Sequence, residues 1–152
     1  MEQDARLAAL LARVNADALK RVQEGMWAVC NEPGGTAVVA GQINIPGVQI
    51  AGKTGTAQVR NISAGERAGG VISNDNLPWA MRDHALFVCF GPYDNPRYAC
   101  SVVVDHGGGG SKVAGPVARD IMHEVLIKKP SDMRAFTRIA AAQQAAKKEG
   151  KA

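Results

Sequence analysis

Lys53, Thr54, Gly55 and Thr56 bring an ammonium, two hydroxyls and a glycine into four consecutive residues of a 152-residue chain. On a strand, alternation sends Lys53 and Gly55 to one face and the two threonines to the other. K-T-G is one element of the S-x-x-K, S-x-N, K-T-G set from which a serine acyltransferase site is built. The other two elements do not occur in this sequence. None of Ser63, Ser73, Ser101, Ser111 and Ser131 is followed three residues later by a lysine. Ser73-Asn74-Asp75 ends in the wrong residue for S-x-N and lies after K-T-G. Acyl transfer at a peptide carbonyl needs a nucleophile, a proton acceptor, donors for the oxyanion and a clamp for the substrate. The residue types present suit the last two and part of a proton relay, so the chain reads as one wall of a site whose nucleophile lies elsewhere.

The hydrophobic pattern gives the elements that must position these groups. Residues 4–29 carry Leu7, Leu10, Leu11, Val14, Leu19, Val22, Met26 and Val29 at mostly three- and four-residue steps, which predicts helix with a break near Asn15. Pro33-Gly34-Gly35 stops it. Ala37-Val38-Val39-Ala40 fits helix or strand equally by local pattern. Residues 47–59 alternate well enough for a strand that runs through the motif. Residues 60–81 lack a clear period, contain Gly65, Gly69, Gly70 and Pro78, and read as an excursion from the sheet. A loop of that length is usually functional or mobile.

Strands over residues 84–90 and 97–105 flank Gly91-Pro92-Tyr93-Asp94-Asn95-Pro96, a strong turn signal that predicts an antiparallel hairpin. Centring it on Asp94-Asn95 sets Cys89 opposite Cys100, about 4.5 to 5.5 Å apart at Cα. The apolar runs of these strands suit a sheet covered on both faces. Residues 113–127 read as a helix with Val117, Ile121, Val125 and Leu126 on one side and Pro116 in its first turn. Residues 135–148 are Ala-rich and read as a frayed helix or tail. The fold class is α+β, with three antiparallel strands flanked by helices.

With 46% hydrophobic and 21% charged residues, the composition is that of a folded domain. Much of the net charge of +4 sits at the end of the chain, in Lys128, Lys129, Arg134, Arg138, Lys147, Lys148 and Lys151. It reads as a solvated basic tail, because no alternation of aromatics with those lysines supplies a stacking platform; no nucleic acid is expected. The first residues hold Glu2, Asp4 and Arg6 and no long apolar run, so no signal peptide or membrane anchor is expected there. Cys30, Cys89 and Cys100 match no metal spacing and read as small buried residues. Gly107-Gly108-Gly109-Gly110-Ser111-Lys112 lacks the phosphate-loop spacing and reads as a linker or flexible strand-to-helix turn. Arg82-Asp83-His84 reads as a salt-linked strand entry, and His106 and His123 as structural or surface residues. No metal and no organic cofactor is implied.

The flanks of K-T-G narrow the reading. Asn31-Glu32-Pro33-Gly34-Gly35-Thr36-Ala37 precedes it; Leu77-Pro78-Trp79, Arg82 to Val88, Gly91 to Pro96 and Val104-Asp105-His106-Gly107-Gly108-Gly109-Gly110 follow. This order and spacing resemble the last part of the transpeptidase domain of class B penicillin-binding proteins, the elongation type called penicillin-binding protein 2. The resemblance covers roughly residues 10 to 127 and sets residues 1–127 apart from a basic Ala-rich tail, 128–152. It implies part of the penicillin-binding protein/serine β-lactamase-like fold, with residues 37–40 in a helix and turn and an unpaired edge on the strand at 97–105. It implies D-Ala-D-Ala cross-linking of peptidoglycan through a serine acyl-enzyme, with stem peptide and β-lactams as ligands in the full-length context. Further implied partners are the other half of the domain and other cell-wall synthesis proteins, and the implied place is the periplasm, tethered to the inner membrane. The resemblance gives Lys53 a catalytic place beside the S-x-N serine, and Thr54 and Thr56 hydroxyl contacts to the substrate carboxylate. It also gives the Thr56 N–H half of the oxyanion hole, and Gly55 a close approach to the substrate backbone. With two of three motifs lacking, the isolated chain is expected to be inactive; the alternative is a non-enzymatic interaction module.

Overall fold

The computed structural model describes residues 15–129. The expected helix over residues 4–14, the tail beyond residue 129 and the Ala-rich run at 135–148 lie outside the described residues. Helix α1 (Ala16–Asn31) begins at Asn15, whose side chain accepts from the Asp17 N–H at 2.8 Å. The expected break is thus a helix cap. Pro33-Gly34-Gly35 ends α1, and the Ala37 N–H reaches back to the Val29 carbonyl at 3.0 Å. The short helix α2 (Val38–Gly41) follows, which resolves the ambiguous apolar piece in favour of helix.

Strand β1 (Ala51–Ala57) is shorter than expected from alternation. Residues 45–48 form a tight turn instead, with the Val48 N–H on the Ile45 carbonyl at 3.1 Å and Gly47 at φ +72°, a conformation glycine adopts without strain. Strands β2 (His84–Gly91) and β3 (Tyr98–Val104) complete an antiparallel sheet in the order β1-β2-β3. Cys89 pairs with Cys100, so the register expected from a turn centred on Asp94-Asn95 is the one observed. Beyond β3, no further strand follows among the described residues.

Parity sorts the sheet into two faces. Thr54 lies opposite Phe87 and Thr56 opposite Ala85, on the face that packs into the core. Lys53 and Gly55 lie opposite Val88 and Leu86 on the other face. Phe87 is fully buried, a burial that contributes about 1.5–3 kcal/mol. The core joins it to Cys30, Ala40, Ile50, Val102 and the last helix. The other face is open: Val88 is 43% and Val103 59% exposed, against the expectation of a sheet covered on both sides.

Helix α4 (Gly115–Lys128) is entered through a π turn over Gly110–Ala114, with Pro116 in its first turn as expected. Its buried face differs from the expected one. Gly115, Ala118, Met122 and Leu126 face the core, whereas Val117 and Ile121 are each 44% exposed. Both stripes have helical spacing; the small residues let the helix come close to the sheet, and closeness decides which stripe is buried.

Burial pushes the Cys30 thiol up to about 11 and the Cys89 thiol up to about 12, with neighbouring Cys100 adding to the effect on Cys89. A thiol whose pKa is raised on folding stabilises the fold below its ordinary value near 9 and loses that contribution as pH rises toward the folded value. The urea midpoint of the chain is therefore expected to fall from pH 9 to pH 11. At pH 8, iodoacetamide should label the half-buried Cys100 ahead of Cys30 and Cys89; equal labelling of all three before unfolding would contradict the packing.

Candidate functional site

β1 presents the K-T-G residues from a strand whose outer edge has no strand partner among the described residues. Three contacts fix which backbone groups point outward. Asn31 Nδ2 donates to the Ile50 carbonyl at 3.0 Å, the Gly52 backbone bonds the Cys30 thiol, and Lys53 Nζ donates to the Thr54 carbonyl at 2.8 Å. In an antiparallel ladder the N–H and C=O of one residue point the same way and successive residues alternate. Residues 50, 52 and 54 thus turn their backbone outward, and Thr56 must do the same. Lys53 and Gly55 turn theirs toward β2, onto Val88 and Leu86.

The structure brings Lys53, Thr54, Gly55 and Thr56 to this edge as alternation requires. Lys53 and Thr56 are exposed, and Thr54 and Gly55 are half-buried. One further residue joins them. Thr36 Oγ1 lies 3.1 Å from Thr54 Oγ1, so the Pro33-Gly34-Gly35-Thr36 stretch closes onto the strand from the end of α1. A hydroxyl offers one donor and two acceptor sites, so Thr54 retains hydrogen-bonding capacity beyond this contact. Sequence reading had Thr36 in a flanking motif without a role; the tight turn before it was the available signal.

Gly55 is hemmed by its cross-strand neighbour. A Cβ there would lie 3.2 Å from Leu86 Cβ, tighter than ordinary packing. The glycine run at 107–110 forms the expected strand-to-helix turn between β3 and α4, tied to its neighbours by backbone hydrogen bonds. The Gly107 N–H bonds the Val104 carbonyl at 3.2 Å and the Gly108 N–H the Asp83 carbonyl at 2.8 Å.

The excursion between β1 and β2 is built rather than loose. Helix α3 (Ala64–Gly69) starts at Ser63, whose Oγ accepts from the Glu66 N–H at 3.2 Å. Arg60 grips Glu66 with both terminal guanidinium nitrogens, and the Ile72 N–H bonds Glu66 Oε1 at 3.1 Å. The 3-10 turns at Asn74–Asn76 and Trp79–Met81 lead into β2. The Arg82-Asp83-His84 stretch is held mainly by hydrogen bonds, not as the expected salt link. Asp83 accepts from Val59 N at 3.2 Å and Asn74 Nδ2 at 3.1 Å, while Arg82 Nε donates to the Leu77 carbonyl at 3.0 Å. His84 Nδ1 accepts from the His106 N–H at 2.9 Å and lies 3.6 Å from Asp105 Oδ1. Among the described residues no group of three or more His, Cys, Asp or Glu could hold a metal ion.

A hollow of about 400 Å³ lies between the excursion and the glycine run, lined in part by Arg60, Val71, Asn74, Leu77, Gly108 and Lys112. None of its lining residues belongs to K-T-G. The chemistry that the motif offers is therefore that of a strand edge: a cation, hydroxyls and outward N–H groups in a row, suited to an extended anionic ligand.

Comparison with known proteins places the chain in a family. The family described as penicillin binding protein transpeptidase domain matches residues 12–123. The peptidoglycan D,D-transpeptidase MrdA of Haemophilus influenzae is 35% identical over 109 residues, covering 72% of this chain and 16% of that protein. MrdA of Acinetobacter baumannii is 44% identical over 78 residues, covering 49% of this chain and 11% of that protein. The chain thus spans only a small part of its curated relatives. Among solved structures, the penicillin-binding protein PBP2 of Helicobacter pylori, in complex with MreC, aligns with TM-score 0.57 and 31% identity over 77% of this chain and 19% of that one. Pseudomonas aeruginosa PBP2 in complex with WCK 5153 aligns with TM-score 0.50 and 38% identity over 70% of this chain and 19% of that one. Among the described residues no helix is long and apolar enough to cross a membrane.

The Arg60 guanidinium holds the Glu66 carboxyl down to about 2, first through their hydrogen bonds and then with help from the Ile72 N–H. A depressed carboxylate stabilises its surroundings above its ordinary value and loses that contribution as pH falls through the folded one. Amide exchange of Ile72 is therefore expected to accelerate, relative to β2 amides, as pH drops from about 4.5 toward 2. Glu66→Gln should show that loss of protection already at pH 7, and unchanged protection at Ile72 would show that the clasp does not order the excursion.

Proposed function

The chain belongs to the penicillin-binding protein transpeptidase family, with relatives of the penicillin-binding protein 2 type, and from that membership we propose that it supplies the K-T-G wall of a peptidoglycan D,D-transpeptidase site. The observation that supports this reading is the parity of β1, which turns the Thr54 and Thr56 backbone outward along an edge that pairs with no strand among the described residues, with the Lys53 ammonium drawn to that edge by the Thr54 carbonyl. The ligand is the D-Ala-D-Ala end of a stem peptide, or a β-lactam, lying along that edge as an added strand. The Thr54 and Thr56 hydroxyls donate to its carboxylate, and the Thr56 N–H donates to the oxyanion that forms as the carbonyl is attacked. Lys53 adds positive charge beside the carboxylate and a link in the proton path to the attacking serine.

The serine, its lysine and the S-x-N residues come from outside this sequence, since no serine in it has the S-x-x-K partner. The open sheet face with Val88 and Val103, and the outer side of β3, are where the rest of such a domain would pack. In that setting the site works in the periplasm, on a protein tethered to the inner membrane. The same open surfaces favour, as a second reading, a module that binds the remainder of the domain or another cell-wall synthesis protein without catalysis. A complex with MreC is known for the Helicobacter pylori relative, which makes a cell-wall protein a reasonable class of partner.

Purified alone, the 152-residue chain is expected to take up no labelled penicillin covalently. A stoichiometric, heat-stable label on any of its serines would overturn that. Joined to a half that carries S-x-x-K and S-x-N, Lys53→Ala should slow penicillin acylation by about a hundredfold or more with the fold intact, the scale of losing one preorganised charged or donor group. Thr54→Val should be milder, because the cation and backbone donors remain. A folded Lys53→Ala protein that acylates at the unmodified rate would reduce the lysine to an ordinary edge residue. Thr36→Val tests the hydroxyl pair: weaker ligand binding with an unchanged acylation step is the expected result.

A further inference from the structure

We propose that Gly110 is a positioning residue for the oxyanion donor: it packs bare backbone against the Gly55–Thr56 peptide and so fixes the direction of the Thr56 N–H. The inference rests on the assignment of that N–H in the preceding reading and adds a residue distant in sequence to it. A Cβ at Gly110 would lie 2.5 Å from the Gly55 carbonyl oxygen and 3.0 Å from Gly55 N, and would also collide with the Leu86 carbonyl oxygen. All three are backbone atoms of paired strands, so no side chain can swing aside. The Gly55 C=O and the Thr56 N–H are the two ends of one planar peptide unit. Pushing the oxygen therefore turns the N–H.

The crossing is anchored at both ends. Before it, the Gly107 N–H is tied to Val104 and the Gly108 N–H to Asp83, at the ends of β3 and the start of β2. After it, the Gly115 N–H donates to the Gly110 carbonyl and closes the π turn that opens α4. Helix α4 in turn is seated by Met122 and Leu126, both in the core. Gly110 is thus the point at which the β3-to-α4 connection bears on the K-T-G strand. Its neighbour is an internal control: a Cβ at Gly109 would meet only Lys112 Cβ and Cγ, at 3.9 and 4.0 Å, which is ordinary contact.

The test compares Gly110→Ala and Gly109→Ala in the transpeptidase formed by joining this chain to a half bearing S-x-x-K and S-x-N. Stopped-flow acylation with a fluorescent penicillin separates the binding constant from the acylation rate constant. Gly110→Ala is expected to lower the rate constant about tenfold or more, since ångström-scale misplacement of reacting groups costs on the order of a hundredfold, while binding through Lys53 and Thr54 is unchanged. Gly109→Ala should match the unmodified protein. Equal slowing by both variants, or a folded Gly110→Ala protein at the unmodified rate, overturns the proposal. Lys53→Ala alongside separates the two levels: if it too acylates normally, the assignment of the strand fails, and if it alone is slowed, only the role of Gly110 fails. Should Gly110→Ala not fold, relaxation of the Thr56 amide in the unmodified 152-residue chain decides. An order parameter of about 0.85 marks a fixed peptide, and one below about 0.6 overturns the idea.

Discussion

Pairing of β1 with β2 is the constraint from which the rest of the structure follows. The register runs from Ala51↔Phe90 to Ala57↔His84 without a bulge. Within that run, one choice of parity fixes two independent things: which side chains enter the core, and which backbone groups face out. Slipping the register by one residue would exchange both sets at once. It would bury Lys53 against the core and turn the Thr56 N–H inward. The core therefore enforces the site, because Phe87 and Ala85 can be buried opposite Thr54 and Thr56 only in this register.

The edge of β1 is braced from separate stretches of chain. Asn31 and Thr36 reach it from the end of α1, and Gly110 bears on the opposite, β2-facing side of the strand. Neither brace places a charge on the strand. Lys53 is left as the cation of the K-T-G run, with its ammonium donating to the Thr54 carbonyl. The excursion supplies its own clasp through Arg60 and Glu66, and Asp83 joins it to both the strand end at Val59 and the glycine run at Gly108.

The sequence made legible whatever depends on local periodicity and turn chemistry. The hairpin register followed from Asp94-Asn95, and the faces of Lys53 and Thr54 from alternation. What could not be read depends on distance across the fold. Val117 and Ala118 sit on stripes of equal period, and only the closeness of α4 to the sheet makes the small one the buried one. The glycine run looked like a linker because what bars a side chain at Gly110 is in part the backbone of Gly55, more than fifty residues earlier. Thr36 acquired a role only when its hydroxyl was seen beside Thr54.

The outer side of β3 carries a consequence for how this segment tolerates change. None of the residues from Tyr98 to Val104 is charged, and no proline interrupts them. Strands that live at a water-facing margin usually carry lysines, prolines or bulges that discourage further pairing. β3 has the composition of an inner strand. Over evolutionary time its admissible substitutions are then those of a buried strand, small or β-branched residues at Ala99, Ser101 and Val103, even though these three positions are exposed among the described residues. The substitution record of related sequences at these sites would accordingly register whether a neighbour covers them.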